Sequence, residues 1–548
     1  MRTSLLCPWT FVLAVSGLAA CSEGLATVDA AAVDAPGLDA TDGDSQVAPD
    51  SSEHDLGSPE PLVQGAPVSE FFRNTCGGCH GTNREGGVGP ALIPIRLTSP
   101  RAFYVDTVTN GRPGTAMPAW SPPLSANEIG RLVDYIFTPP APGTVVWEMA
   151  QIVASRAVIV DPTTLPGAPI HTGNMDNLML VTERESRTFA VIDGDTHTTL
   201  AHVQSSYRSH GYAFDPTNER WVFNMGRDGW LFKTDLYTLQ PVIRIRVGID
   251  SRGLAISDDG RFVIAGNFVP GTAVILDAET LMPLQVVHAV GLDMDGEMVE
   301  SRVGIVSDVS SDLVGPYFII GLEDLGQVWR IDWSDPMFPI AKSSHVGRTL
   351  HDGFLTADNS RFFIAAQGDD WMAAIDVPNW TLVDTIPTGM QPHPGSGAVW
   401  TVGGTSYAAT VHIGEGKITA WNSASGDIVA TIPTAGPGLF IRSHRNSPYV
   451  WADAVLATPA NEITVFDGAS PNFAVVARIT DGTQPLHPEP TVDGSHMYIA
   501  DWMENVVRVY STSYDASTST FPLVTTISGI MAPTGIFSIS RRAEGLGH

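Results

Sequence analysis

The chain has 548 residues, of which 43% are hydrophobic and only 16% charged, with 53 Gly and 40 Pro. That length allows two or three domains with ample core, and sparse charge with frequent turn residues suits a β-rich exported protein. A formal net charge of −29 argues against nucleic acid or an anionic membrane surface as partner and suits attraction of a basic redox protein.

The first 21 residues read as a targeting segment. Arg2 supplies a short positive region, and Leu5 to Ala20 is apolar but too short to span a bilayer permanently. The run Leu18-Ala19-Ala20-Cys21 resembles a bacterial lipobox, in which Cys21 is lipidated and becomes the mature N-terminus; an ordinary secretory signal is the alternative. Either way the expected location is the periplasmic side, and the lipid on Cys21 would be the only membrane contact. Residues 22–64 carry acids such as Asp29, Asp34, Asp44 and Glu53, with no Lys, Arg or aromatic residue. Such a segment cannot bury enough apolar surface to offset its chain entropy, so it reads as a disordered acidic tether.

Cys76-Gly77-Gly78-Cys79-His80 follows. Two thiols and an imidazole at this spacing form the attachment site of a c-type haem: Cys76 and Cys79 make the thioether bonds and His80 takes one axial position on the iron. A redox dithiol or a zinc site uses similar spacing, but zinc needs further ligands and no Cys follows Cys79. Residues 65–142 read as a small all-α cytochrome c domain of class I. Glu70, Phe71 and Phe72 belong to a short helix leading into the motif. Ser125 and Glu128 form a capping box for a second helix with the stripe Ile129, Leu132, Val133 and Ile136, which ends at Pro139-Pro140. Met117, on a Gly- and Pro-rich loop between them, is the expected second axial ligand, with Trp120 near the haem edge.

From about residue 180 a unit recurs in which a β-rich run ends in Asp or a similar turn residue. Its instances are Phe189 to Asp193, Leu231 to Asp235, Ala273 to Asp277, Val328 to Asp332, Ala373 to Asp376, Ile418 to Asn422, Ile463 to Asp467 and Val506 to Ser511. The spacing is that of four-stranded propeller blades, so residues 150–548 are predicted to form an all-β, eight-bladed propeller.

Local runs in this region carry a family likeness. They are Asp176-Asn177-Leu178 through Val191-Ile192-Asp193-Gly194-Asp195, His210 with the downstream Gly226-Arg227-Asp228-Gly229, and Thr349-Leu350-His351-Asp352-Gly353. Gln391-Pro392-His393-Pro394-Gly395, His412-Ile413-Gly414-Glu415-Gly416, Arg442-Ser443-His444 and Pro533-Thr534-Gly535 complete them. Together with the haem c motif they resemble cytochrome cd1 nitrite reductase. The resemblance implies a second, non-covalent cofactor, haem d1, on the propeller axis. His210 would be its iron ligand, Arg184 and Arg252 would pair with its carboxylates, and Thr534 and Gly535 would bind it. His351 and His393 would be the catalytic distal pair. It also implies reduction of nitrite to nitric oxide, with electrons entering haem c from a soluble cytochrome c or cupredoxin, and a possible homodimer.

The pattern departs from the family at Ala213 and Ser396, where an Arg is expected, and at Phe268, where an aromatic hydroxyl is expected. Residues 22–70 also contain no Tyr. Two other functions remain open. One is a paralogue similar to the dehydrogenase that makes the final double bond of haem d1. The other is a non-catalytic electron-transfer cytochrome whose propeller is a binding scaffold.

Overall fold

The computed structural model describes residues 60–541 apart from 88, 98, 113–116 and 142–144. The signal segment, Cys21 and nearly all of the acidic tether therefore lie outside the described residues. No helix among those described is long and apolar enough to cross a membrane.

The first domain is helical: α1 (Val68–Thr75), α2 (Gly77–His80), α3 (Arg101–Asn110) and α4 (Ala126–Ile136), with one small hairpin, Leu62–Val63 with Ala66–Pro67. Val68, Phe71 and Phe72 face inward from α1. Ile129, Leu132, Val133 and Ile136 face inward from α4, and the Ser125–Glu128 capping box is formed. Helix α3 carries no apolar stripe and buries no side chain fully. It is tied to α4 by Arg101, which donates to Asp134 at 2.6 Å, and sequence periodicity gave no sign of it.

A linker helix α5 (Met149–Ser155) and the short strand Ala157–Val158 lead to an eight-bladed propeller. Blade 1 contains Leu178–Glu183, Thr188–Asp193 and Thr198–Gln204. Blades 2 to 8 then begin at Ser209, Asp250, Val303, Leu350, Pro392, Ile441 and Pro485. The eight repeats read from sequence are the third strands of the eight blades. The terminal Asp works locally: its carboxylate accepts N–H groups two or three residues on, as Asp235 does from Tyr237, Asp277 from Thr280 and Asp376 from Asn379. These Asx turns end one strand and aim the next.

The ring closes where the C-terminal strand Pro533–Ser538 becomes the innermost strand of blade 1, antiparallel to Leu178–Glu183. Glu489 of blade 8, fully buried, clasps this closure. It accepts the Ser538 N–H at 3.0 Å and a two-pronged bond from Arg541 at 2.7 and 2.8 Å, and Arg442 lies 3.1 Å away. Burial alone would raise its pKa, but Arg442 and Arg541 outweigh burial and hold it at about 2.

The cytochrome rests on blades 2 and 3 through the loop that follows His80. Ala91 and Ile93 share an apolar cluster with Ile249. Arg96 reaches Asp250 at 2.6 Å, and Arg246 donates to the Glu85 carbonyl at 2.8 Å. Gly86 is required here (φ +81°), since a Cβ would meet the Ala91 nitrogen at 2.7 Å.

Replacing Glu489 by Gln leaves two buried guanidinium groups without their counter-charge and should cost about 3–5 kcal/mol, read as a lower denaturation midpoint. Because its folded pKa is depressed, its contribution is present above the unfolded carboxylate value and is lost as pH falls toward 2. An unchanged midpoint at neutral pH would contradict the clasp.

Candidate active site

Regular strands alternate their side chains, so neighbouring residues cannot both face the propeller axis. Here every innermost strand breaks its ladder. Register shifts fall between Ser209 and Gly211, Ser251 and Leu254, Val303 and Ile305, Leu350 and Gly353, His393 and Ala398, Arg442 and His444, Leu486 and Glu489, and Pro533 and Ile536. Such bulges re-aim side chains. In four blades a non-glycine residue with positive φ stands two positions earlier: Arg208 before His210, Thr349 before His351, Gln391 before His393 and Ala532 before Thr534. Each costs on the order of 1 kcal/mol or more and is held by the surrounding structure.

These breaks line an axial cavity with Arg184, His210, Arg252, His393, Thr534 and Gly535, all singled out from sequence. Phe440, His487 and Phe537 line it as well. His351 lies behind the wall, buried, its ring 5.0 Å from that of His393. Between the two stands Asp352, also buried.

The hydrogen bonds place a proton on Nδ1 of both imidazoles and engage their Nε2 atoms differently. His351 Nδ1 donates to Asp352 Oδ1 at 3.0 Å, and its Nε2 accepts from Arg252 Nη1, so both nitrogens are engaged. His393 Nδ1 donates to the Leu439 carbonyl at 2.7 Å, which leaves a lone pair on Nε2, 3.3 Å from Asp352 Oδ2. Neither of those two atoms has a hydrogen-bond partner among the described residues.

Burial lowers the pKa of His351 to about 3, with Arg252 adding to the effect and Asp352 opposing it. Burial likewise lowers that of His393, against the pull of Asp352. Burial would raise Asp352, but the two imidazoles and Arg252 hold it well below the carboxylate range. At neutral pH the cluster is therefore an Arg⁺–Asp⁻ pair with two neutral imidazoles.

The positions that depart from the family pattern fall away from the cavity wall. Ala213 is in the core between blades 2 and 3, and Ser396 is buried within the blade 6 bulge. Phe268 is ringed by guanidinium groups, Arg227 at 4.7 Å, Arg302 at 5.5 Å and Arg252 at 6.0 Å. The sequence reading missed Asp352 as a site residue, together with Phe440 and His487. For His487 a signal existed: Gln484-Pro485-Leu486-His487-Pro488 echoes Gln391-Pro392-His393-Pro394.

In the cytochrome, His80 Nδ1 donates to the Pro90 carbonyl at 2.8 Å, so Nε2 faces away, available as an axial ligand. A Cβ on Gly89 would lie 2.6–3.1 Å from that ring. Burial first, and Cys79 second, push the Cys76 thiol up to about 11, opposite to the depressed thiol of a redox dithiol. Met117 follows the undescribed residues 113–116. Its carbonyl accepts the Arg112 N–H, and Trp120 shares the domain core with Cys76.

Comparison with known proteins agrees with this architecture. Residues 173–542 match the family described as Cytochrome D1 heme domain, and residues 64–136 match that described as cytochrome C oxidase, cbb3-type, subunit III. The chain belongs to the cytochrome d1 haem-domain family, in its form joined to a cytochrome c domain. Haem c is the covalent cofactor of the first domain, and the propeller binds a d1-type haem.

Within that class, dihydro-heme d1 dehydrogenase of Pseudomonas aeruginosa is 30% identical over 495 residues, 88% of this chain and 96% of the relative. Nitrite reductase of Stutzerimonas stutzeri is 26% identical over 524 residues, 86% of this chain and 91% of the relative. A solved structure, dihydro-heme d1 dehydrogenase NirN in complex with DHE, aligns with TM-score 0.78 and 30% identity over 87% of this chain and all of that one.

These likenesses overturn the expectation of nitrite reduction to nitric oxide and favour the dehydrogenase alternative.

Replacing Gly89 by Ala should push the His80 ring off its position and turn the haem c iron partly high-spin, with covalent attachment retained. An unaltered low-spin spectrum would remove His80 from the axial site.

Proposed function

We propose that this chain is a dehydrogenase of a dihydro-haem d1-type tetrapyrrole, removing two hydrogens from adjacent side-chain carbons to form a carbon–carbon double bond. The balance is one C=C bond gained, with two protons and two electrons released. The observation that carries this reading is the state of His393. Its Nδ1 proton is committed to the Leu439 carbonyl, so the lone pair on Nε2, beside Asp352 Oδ2, can take a proton. Protonation there forms an imidazolium that Asp352 Oδ2, 3.3 Å away, neutralises.

His351 has a positioning role: it and Arg252 fix the other side of the same carboxylate. Arg184 and Arg252 would hold substrate carboxylates, Thr534 and Gly535 shape the wall, and His210 would supply an imidazole ligand to the iron. The second proton leaves through the open side of the cavity. Cys76, Cys79, His80 and Met117 would hold haem c, which supplies one-electron chemistry when bound. Two electrons per turnover would therefore leave one at a time for a soluble acceptor, opposite in direction to the donor expected from sequence. The lipobox at Cys21 supports an exported protein anchored on the periplasmic side.

With dihydro-haem d1 as substrate and an artificial one-electron acceptor, the product should be lighter by two hydrogens. His393→Ala should lower kcat by about 10²-fold or more, and His351→Ala by less. Because the His393 pKa is lowered, the base stays competent as pH falls and fails only below the ordinary imidazole value. The acid limb of the kcat profile should accordingly lie under that of free imidazole. An acid limb at or above it, or full turnover by the His393 variant, would refute the assignment.

A further inference from the structure

The base at His393 is only as well aimed as the carbonyl that holds its Nδ1 proton. That carbonyl belongs to Leu439, in the short segment that enters the innermost strand of blade 7, and nothing about Leu439 itself fixes it. The fixing group is a carboxylate on the neighbouring strand. Asp453, at the end of Ser447–Asp453 and fully buried, accepts the Leu439 N–H at 2.8 Å and the Phe440 N–H at 3.3 Å with Oδ1. Its own N–H donates to the Phe440 carbonyl at 3.0 Å, so the segment is gripped from both directions.

The other oxygen reaches the next blade. Asp453 Oδ2 accepts the backbone N–H of His487, in blade 8, at 3.1 Å. His487 has φ +54°, a conformation that needs external support in a residue with a Cβ. Its Nδ1 accepts the Ile536 N–H at 3.2 Å, which joins it to the closing strand of blade 1. Phe440 lies between the two imidazoles, its ring 6.2 Å from His393 and 4.2 Å from His487. A single carboxylate in blade 7 thus holds the carbonyl that orients His393 of blade 6, the ring between, and the strained backbone of His487.

We propose that Asp453 is a positioning residue for the dehydrogenation, setting His393 and His487 as one unit along one side of the cavity. The proposal rests on His393 being the base. Only a carboxylate, with no donor of its own, can accept from all three N–H groups at once. Burial pushes Asp453 up to about 6, with the N–H groups of Leu439, His487 and Phe440 opposing the rise. It is therefore ionised, and able to accept all three, at neutral pH.

The test uses the full-length holoprotein with Asp453→Asn and Asp453→Ser. Asn keeps Oδ1 for Leu439 and Phe440 but presents an NH₂ donor to the His487 N–H. Ser keeps at most one acceptor. Affinity for dihydro-haem d1 is measured by spectral titration, and single-turnover and steady-state rates are measured on the same preparations.

Positioning predicts that both variants fold with unchanged haem c bands and bind dihydro-haem d1 within about threefold of the parent. It also predicts that they lose about tenfold or more in kcat, with Ser worse than Asn. On a His393→Ala background the Asp453→Asn loss should shrink, since the two act through one path. Equal kcat in parent and Asp453→Asn overturns the proposal, as does a loss confined to affinity. Two variants that do not fold would assign Asp453 to the fold alone and overturn it too. A parent protein that neither binds nor oxidises dihydro-haem d1 is a different failure, that of the dehydrogenase reading itself.

Discussion

The site depends on a conflict between strand geometry and ring closure. Eight innermost strands run beside the axis, and a regular strand would present only every second side chain to it. Each breaks its ladder, and in six blades the break falls at residues that line the cavity. On blade 5 the break between Leu350 and Gly353 is what lets His351 and Asp352, adjacent in sequence, act in one cluster. On blade 1 it turns Thr534 and Gly535 inward. The strain at Arg208, Thr349, Gln391 and Ala532 is sustained because outer strands and blade-to-blade packing over-determine the backbone there.

Charge balance follows from that geometry. Arg252 and Asp352 are both buried and neutralise each other, and burial lowers the pKa of the imidazoles beside them against the pull of Asp352. A neutral imidazole with a committed Nδ1 proton takes a proton; it does not recruit an anion. The same fold with cationic histidines would suit a different reaction, so the distinction lies in a few hydrogen bonds and not in the propeller.

On the proposed chemistry, electron exit would run through the docking of the two domains. The loop after His80 contacts the propeller through Ala91, Ile93 and Arg96. Its partners, Ile249 and Asp250, stand two or three residues from Arg252 on the strand that lines the cavity. His80 and the cavity wall are thereby joined by a short stretch of packed backbone.

Much of this was legible in the sequence because the signals are local. The Cys76–His80 spacing, the Ser125–Glu128 capping box and the Asx-turn residue ending most of the third strands each record a short-range physical need. Helix α3 was invisible because it buries no stripe. Asp352 was hidden by the alternation rule, which a bulge defeats, and Asp453 acts through backbone N–H groups that no side-chain pattern reports. The choice between the two chemistries was not legible either, since it turns on burial and on which nitrogen of His393 carries the proton. The most direct measurement is anaerobic mixing of the oxidised holoprotein with dihydro-haem d1 while following the haem c bands. Their appearance in reduced form, with formation of the dehydrogenated tetrapyrrole, is the predicted result. Haem c that stays oxidised with that substrate, yet is rapidly reoxidised by nitrite once reduced chemically, would contradict the account.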